Sequence, residues 1–322
     1  MKQLRVGVIG TGHMGRNHVR ILADEKRFDL IGVYDADEDS ATSVADAFGT
    51  IPFLSADELL QKTEAVVIAV PSFLHKEVGL KAASYNVHSL IEKPLATSLD
   101  DAESLALAFS ERNLVLQVGH IERFNPVILE LEKIVRGGAG KVFYAEAHRY
   151  SPFSGSGRIT DTSVIEDLMI HDVDLICNLM SPAKVTDIRG NAERIRSDAN
   201  DFATCMLNFS ANAHAVINAS RVSQNKERSL EIHTEESIIF ADLLRKTLTI
   251  TRNTDIIIGS DHAESYRQDA VVQSVFVPAV EPLRMELKSF YETVAEGKAN
   301  PVDADAAMEA IRICEEVASR AS

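Results

Sequence analysis

Gly10-Thr11-Gly12-His13-Met14-Gly15 places three glycines at the spacing that can cradle a diphosphate. Each position answers a different demand. The first glycine permits a tight turn, the second lets backbone approach a pyrophosphate, and the third lets a helix lie close on a strand. The run has this meaning only between a strand and a helix. Leu4–Ile9 is a short apolar stretch that reads as a buried strand, and Met14–Ala23 carries apolar residues at helical spacing. The start of that helix offers N–H groups and partial positive charge to an anion. Asp35 follows 20 residues beyond Gly15, at the end of a second apolar strand, Asp29–Tyr34. A carboxylate there can accept hydrogen bonds from both adenosine ribose hydroxyls. It would also repel a 2′-phosphate, with Asp37, Glu38 and Asp39 adding to the effect, so the expected cofactor is NAD rather than NADP. The bland alternative is a structural glycine turn beside a solvated acidic loop.

The elements around this run alternate. Ser40–Phe48 reads as a helix with Ser40 as N-cap, and Ser55 with Glu58 fits a capping box for a short helix. Ala65–Val70 is a strand, Lys76–Ser84 a helix, Ser89–Ile91 a strand, Leu99–Glu111 a helix and Leu114–Gly119 a strand. Strands alternating with helices imply a parallel sheet covered on both faces. From Lys141 the pattern changes: Lys141–Tyr150, Phe202–Phe209, Ala213–Val222, Ser229–His233, Ser237–Phe240 and Thr247–Thr251 read as successive strands, with one long helix, Val164–Met180, among them. The expected architecture is therefore α/β. An N-terminal Rossmann domain (residues 1–120) precedes an α+β domain (residues 121–322) with an open, mainly antiparallel sheet. Glu281–Glu296 and Ala304–Ser319 read as helices that can return to the first domain. An open sheet face has to be covered, which predicts a homodimer or homotetramer.

The chain's 322 residues suit two domains. Its formal net charge of −15 repels nucleic-acid backbones and anionic membranes, so neither is expected as a partner. No apolar run is long enough to span a bilayer. The N-terminal segment enters a strand at once, so no leader peptide is expected. Cys177, Cys205 and Cys314 have no disulfide or metal-ligand spacing, which predicts free thiols and the cytoplasm.

Two further motifs, Pro71-Ser72-Phe73-Leu74-His75 and Glu92-Lys93-Pro94, stand after the third and fourth strands. With the glycine run they resemble the glucose–fructose oxidoreductase/inositol dehydrogenase/MocA family over nearly the whole chain. Glu92-Lys93-Pro94 is the most specific sign. The resemblance implies that Gly10, Thr11, Gly12, His13, Met14, Gly15, Asp35, Val70, Pro71, Leu74, His75, Glu92 and Lys93 bind the cofactor. In that family the lysine lies beside the nicotinamide and the reacting carbon, a role that falls to Lys93. The family's Asp-x-x-x-His is matched by Asp167 and His171, which a four-residue spacing puts on one helix face. The glycine pair common before that Asp is replaced here by Ile165-Glu166.

Gly119-His120-Ile121-Glu122-Arg123-Phe124-Asn125-Pro126, Arg158, and Glu281-Pro282-Leu283 with Glu286-Leu287 resemble a narrower subgroup, which oxidises the 3-hydroxyl of UDP-N-acetylhexosamines. This implies that His120, Arg123, Asn125 and Arg158 join Lys93, Asp167 and His171 in holding the substrate. Oxidising a secondary alcohol needs a base at the hydroxyl and a hydride acceptor at the carbon. His171 suits the base. Lys93 can stabilise alkoxide charge or, with a lowered pKa, act as the base itself. Asp167 can orient substrate or His171. The rivals are a dehydrogenase of a free sugar or polyol such as inositol, and a non-catalytic NAD-binding regulator. Ordinary structural roles also exist: a polar helix face for Asp167 and His171, surface ion pairs for Arg123 and Arg158, and a solvated strand end for Arg221, Lys226 and Arg228. His148, His171, Asp172 and Asp174 offer metal-ligand types at unspecific spacing, and no metal is expected.

Overall fold

The computed structural model describes residues 3–153, 162–253 and 270–320. Strand β1 (Leu4–Ile9), helix α1 (His13–Asp24), β2 (Phe28–Tyr34), α2 (Glu38–Phe48), α3 (Ala56–Leu60), β3 (Ala65–Ile68), α4 (His75–Ser84), β4 (His88–Glu92), α5 (Leu99–Ser110) and β5 (Leu116–Gly119) follow in order. The strands form a parallel sheet in the order β2-β1-β3-β4-β5. The strand order reverses between β1 and β3, which is where such sheets bind ligands, at the carboxyl ends of the strands. The four residues of β3 and four of the five in β4 are buried, as expected for strands covered on both faces. Asp37, Ser55 and Ser98 cap α2, α3 and α5 through their side chains, each cap contributing about 1 kcal/mol. Helix α2 thus begins before Ser40, because Asp37 takes the Asp39 and Ser40 N–H groups first.

Next come α6 (Pro126–Arg136), β6 (Val142–Tyr150), a π-helical turn (Ile165–Met169), α7 (Ile170–Met180), β7 (Val185–Glu193), β8 (Phe202–Phe209), β9 (Ala213–Ser220), β10 (Glu227–Thr234), β11 (Ile238–Asp242), β12 (Thr247–Asn253) and β13 (Ala270–Val275). These strands form a second sheet, β13-β12-β11-β10-β6-β9-β8-β7. It is antiparallel except where β6 and β9 run parallel. In β6, buried Ala145, Ala147 and Arg149 alternate with half-exposed Tyr144, Glu146, His148 and Tyr150. One face is therefore core and the other open. Two strands, β7 and β13, were not expected from sequence. The first is mostly polar (Val-Thr-Asp-Ile-Arg-Gly-Asn-Ala-Glu), and both are edge strands, where burial leaves the weakest pattern.

The chain ends in α8 (Pro282–Glu296) and α9 (Ala304–Arg320). Residues 1–124 with 280–312 make one compact unit, and 125–279 with 313–322 the other. Within the first unit, Leu283, Leu287, Phe290 and Tyr291 of α8 join Val6, Val8, Val19, Leu22, Val67 and Leu90 in a single core. Each such side chain contributes about 1.5–3 kcal/mol by its burial. None of the described helices is long and apolar enough to cross a membrane.

Candidate functional site

The five parallel strands of the first unit end level with one another. Ile9 pairs with Tyr34 and with Ile68, Ile68 with Ile91, and Glu92 with Gly119. The residues just past those ends therefore line one edge: Gly10, Asp35, Val70, Lys93 and His120. From Asp35 past β2 to Lys93 past β4 there are three strand spacings, about 14 Å. That is the order of separation between the two halves of a dinucleotide.

The three glycines are constrained differently. Gly10 has φ +93°, and a Cβ there would lie 2.5 Å from the Ala69 carbonyl oxygen. A Cβ on Gly15 would lie 1.8 Å from the Gly10 carbonyl oxygen, so the helix reaches the strand only without a side chain. A Cβ on Gly12 would meet nothing within 4 Å. Gly12, exposed and the N-cap of α1, therefore leaves space beyond the chain rather than within it. His13 is exposed and Met14 half-buried beside it. No side chain caps α1 and no acidic residue lies in its own first turn, so nothing within the helix itself opposes an anion at its N-terminus. These features fit a dinucleotide diphosphate.

Asp35 is half-buried and already engaged. Its Oδ2 accepts from the Thr11 N–H at 2.6 Å and the Thr11 hydroxyl at 3.0 Å, and its Oδ1 accepts from the Asp37 N–H at 3.0 Å. The glycine loop thus orients the carboxylate. Thr11 also meets Ser40 at 2.8 Å between hydroxyl oxygens.

Past β3, Val70 is half-buried and Pro71 exposed, and a short 3-10 turn, Ser72–Leu74, leads into α4. His75 at the head of α4 is 1% exposed. Its Nδ1 lies 2.7 Å from the Pro94 carbonyl oxygen and its Nε2 lies 3.0 Å from that of Val70. Burial holds its pKa below the ordinary histidine value, outweighing the pull of the two carbonyls. His75 therefore sits between the loop after β3 and the segment carrying Lys93, bonded to one carbonyl at a time while its ring is neutral. Lys93 itself is half-buried, and the Lys93–Pro94 peptide is cis. Glu92, the last residue of β4, is buried, and its Oε1 lies 2.7 Å from Nε2 of His18, a fully buried residue of α1.

His120 and Arg123 are buried, the latter in a 3-10 turn, Ile121–Phe124. In the second unit, Asn125 accepts the Val127 N–H at 3.1 Å and caps α6, with Pro126 at its first turn. The Asn-Pro pair is a helix-start signal legible in sequence. Asp167 lies in the π turn and His171 in the first turn of α7, both half-buried. The expected helix thus opens with bonds to the fifth residue rather than the fourth, a feature frequent at functional positions. Arg158 lies outside the described residues. Asp172 forms a two-pronged pair with Arg149, Nε to Oδ2 and Nη2 to Oδ1, each at 2.8 Å and nearly fully buried. Arg221 is buried rather than solvated: it faces Asp201 at 3.7 Å and donates to the Thr162 carbonyl.

Residues 4–120 match the oxidoreductase family with NAD-binding Rossmann fold, and residues 128–240 match the GFO/IDH/MocA C-terminal domain. The UDP-N-acetylglucosamine 3-dehydrogenase of Acidithiobacillus ferrooxidans is 37% identical over 78% of this chain and 77% of its own. Its solved structure superposes with a TM-score of 0.89 at 31% identity, covering 100% of this chain and 98% of that one. The glucose-6-phosphate 3-dehydrogenase of Bacillus subtilis is 29% identical over 57% of this chain and 55% of its own. The scyllo-inositol 2-dehydrogenase (NAD(+)) of the same species is 27% identical over 77% of each.

Proposed function

The chain belongs to the GFO/IDH/MocA oxidoreductase family, with its NAD-binding Rossmann fold, and on that premise we propose that it oxidises the 3-hydroxyl of a UDP-N-acetylhexosamine. The observation that carries the substrate is the 37% identity to a UDP-N-acetylglucosamine 3-dehydrogenase, over more than three quarters of both chains. The nicotinamide supplies the hydride acceptor. Gly10, Thr11, Gly12, His13, Met14 and Gly15 hold the diphosphate, with Asp35 on the adenosine ribose. Val70, Pro71, Leu74, His75 and Glu92 shape the loops between them and Lys93.

Lys93 donates to the reacting oxygen and stabilises its developing negative charge. His171 removes the hydroxyl proton, and Asp167 orients it. His120, Arg123, Asn125 and Arg158 are assigned to the substrate side. The free thiols Cys177, Cys205 and Cys314 support a reducing, cytoplasmic setting. The open face of the second sheet, where Met206, Ile238, Phe240 and Val272 are exposed, is assigned to self-association into a homodimer or homotetramer.

The test is NADH formation by the purified protein with NAD and a panel of UDP-sugars, free sugars and inositols, with hydroxylamine trapping the ketone. UDP-N-acetylglucosamine or its epimer should give the highest rate. Turnover of inositol alone would move the assignment to a free polyol. No NADH from any sugar, despite NAD binding, would leave a cofactor-binding regulator.

A further inference from the structure

Three buried groups from distant parts of the chain converge at the end of β4. His18 comes from α1, Glu92 from β4 and Glu286 from α8, and one side-chain N or O atom of each lies within 4.8 Å of the others. His18 and Glu286 are both 0% exposed. His18 Nε2 is matched to Glu92 at 2.7 Å. Neither carboxyl oxygen of Glu286 has a hydrogen-bond partner among the described residues, and neither does His18 Nδ1. The Gln117 side chain of β5 donates to the Glu286 backbone carbonyl at 3.3 Å, not to its carboxyl. The turn Ile121–Phe124 also packs on α8 and brings Glu122 and Arg123, both buried. Arg20 and Arg284 pair with Glu281, Asp24 and Glu25 at the surface of α1 and α8.

An ionised carboxylate at Glu286 would be a second anion beside Glu92, out of water and without a donor. An uncompensated buried charge of that kind costs several kcal/mol. Two carboxyls this close in a dry site repel when both are ionised, so one of them stays protonated. Glu92 has the imidazole of His18 to stabilise its charge, and Glu286 has nothing equivalent, so the proton belongs on Glu286. Burial, with the Glu92 charge adding to it, pushes the Glu286 carboxyl well above the usual carboxylate range.

We propose that Glu286 is a positioning residue for the reaction, a neutral carboxylic acid that turns its O–H toward Glu92. Glu92 then carries the single negative charge of the cluster and stays fixed on His18, which sets the strand end that bears Lys93. The role rests on the assignment of Lys93 above. The neutral acid itself does not, and it can be observed without substrate.

The infrared spectrum of the wild-type protein should contain the C=O band of a buried protonated carboxylic acid at neutral pH, and Glu286→Gln should lack it. Glu286→Gln, a neutral isostere with an N–H donor, should fold, keep kcat and keep the pH profile. Glu286→Leu should bind NAD normally but lose kcat by about tenfold or more through misplacement of Lys93. Absence of the band, failure of Glu286→Gln to fold, or equal loss in Gln and Leu variants would overturn the proposal. So would full activity in the Leu variant, or a cation retained stoichiometrically by the wild type and lost from Glu286→Gln. A wild type inactive on every sugar yet showing the band would remove the assigned reaction and leave the neutral acid standing.

Discussion

The His75 Nδ1 lies 2.7 Å from the carbonyl oxygen of Pro94, one residue beyond Lys93, while its other nitrogen faces the Val70 carbonyl. A neutral ring donates to only one of the two. Protonation would satisfy both, but burial opposes it. Because burial depresses the folded-state pKa, the neutral ring contributes stability that is present above the unfolded value near 6.5 and lost as pH falls through the folded one. The dependence for one group is at most about 1.4 kcal/mol per pH unit. His75→Gln should therefore flatten the fall in Tm between neutral pH and mild acid. His88, also shifted down by burial, is present in both proteins and cancels in the comparison. Parallel Tm curves would contradict the assignment.

Gly12 and Gly15 should separate binding from folding. At Gly12 the backbone is ordinary (φ −63°) and a methyl meets no protein atom. Gly12→Ala should keep the wild-type Tm and weaken NAD by about tenfold or more, read by calorimetric titration. At Gly15 a methyl would overlap the Gly10 carbonyl. Gly15→Ala should cost about 1–3 kcal/mol or more in urea unfolding. If Gly12→Ala binds NAD like wild type, the space beside Gly12 is not where the diphosphate lies.

Lys93→Ala and His171→Ala should each lower kcat by about 10²–10⁴-fold while NAD affinity holds. The pH profile of kcat/KM decides which group takes the proton. With His171 as base, the acidic limb disappears in His171→Ala and persists in Lys93→Ala. The opposite pattern transfers the role to the lysine.

Arg149 and Asp172 form a dry ion pair beneath the second sheet. Removing one partner leaves an uncompensated charge, so Arg149→Met or Asp172→Asn should cost about 3–5 kcal/mol in urea unfolding. The double variant Arg149→Met/Asp172→Leu should cost less than either single change. Additive losses would mean that the two residues act independently.

The parts legible in sequence are those whose signal is local. The glycine run sits between the strand and helix it needs, and Asp35 follows at the end of the next strand, so a short window holds both motif and context. The charge partners were not legible. His18 is matched to Glu92 across 74 residues, and Glu286 reaches them from the far end of the chain. A buried histidine and an ordinary helix glutamate look like any others until the fold brings them together. Arg221 reads as part of a basic island with Lys226 and Arg228, yet its partner Asp201 lies in a loop with no pattern of its own. There Asp201 also gathers the N–H groups of Ile195, Arg196 and Ser197. These hydrogen bonds hold its carboxyl below the usual range, although burial is the largest single influence and acts against them.

The level ending of β1 to β5 has a consequence for altering this protein. Backbone pairing, not any side chain, fixes the spacing between Asp35 and Lys93. With the roles proposed for Asp35 and Lys93, cofactor preference and bond chemistry are separate modules on a common ruler. A change of acid to base at position 35 can re-address the adenosine end without recalibrating the lysine, and the two can be inherited or engineered apart.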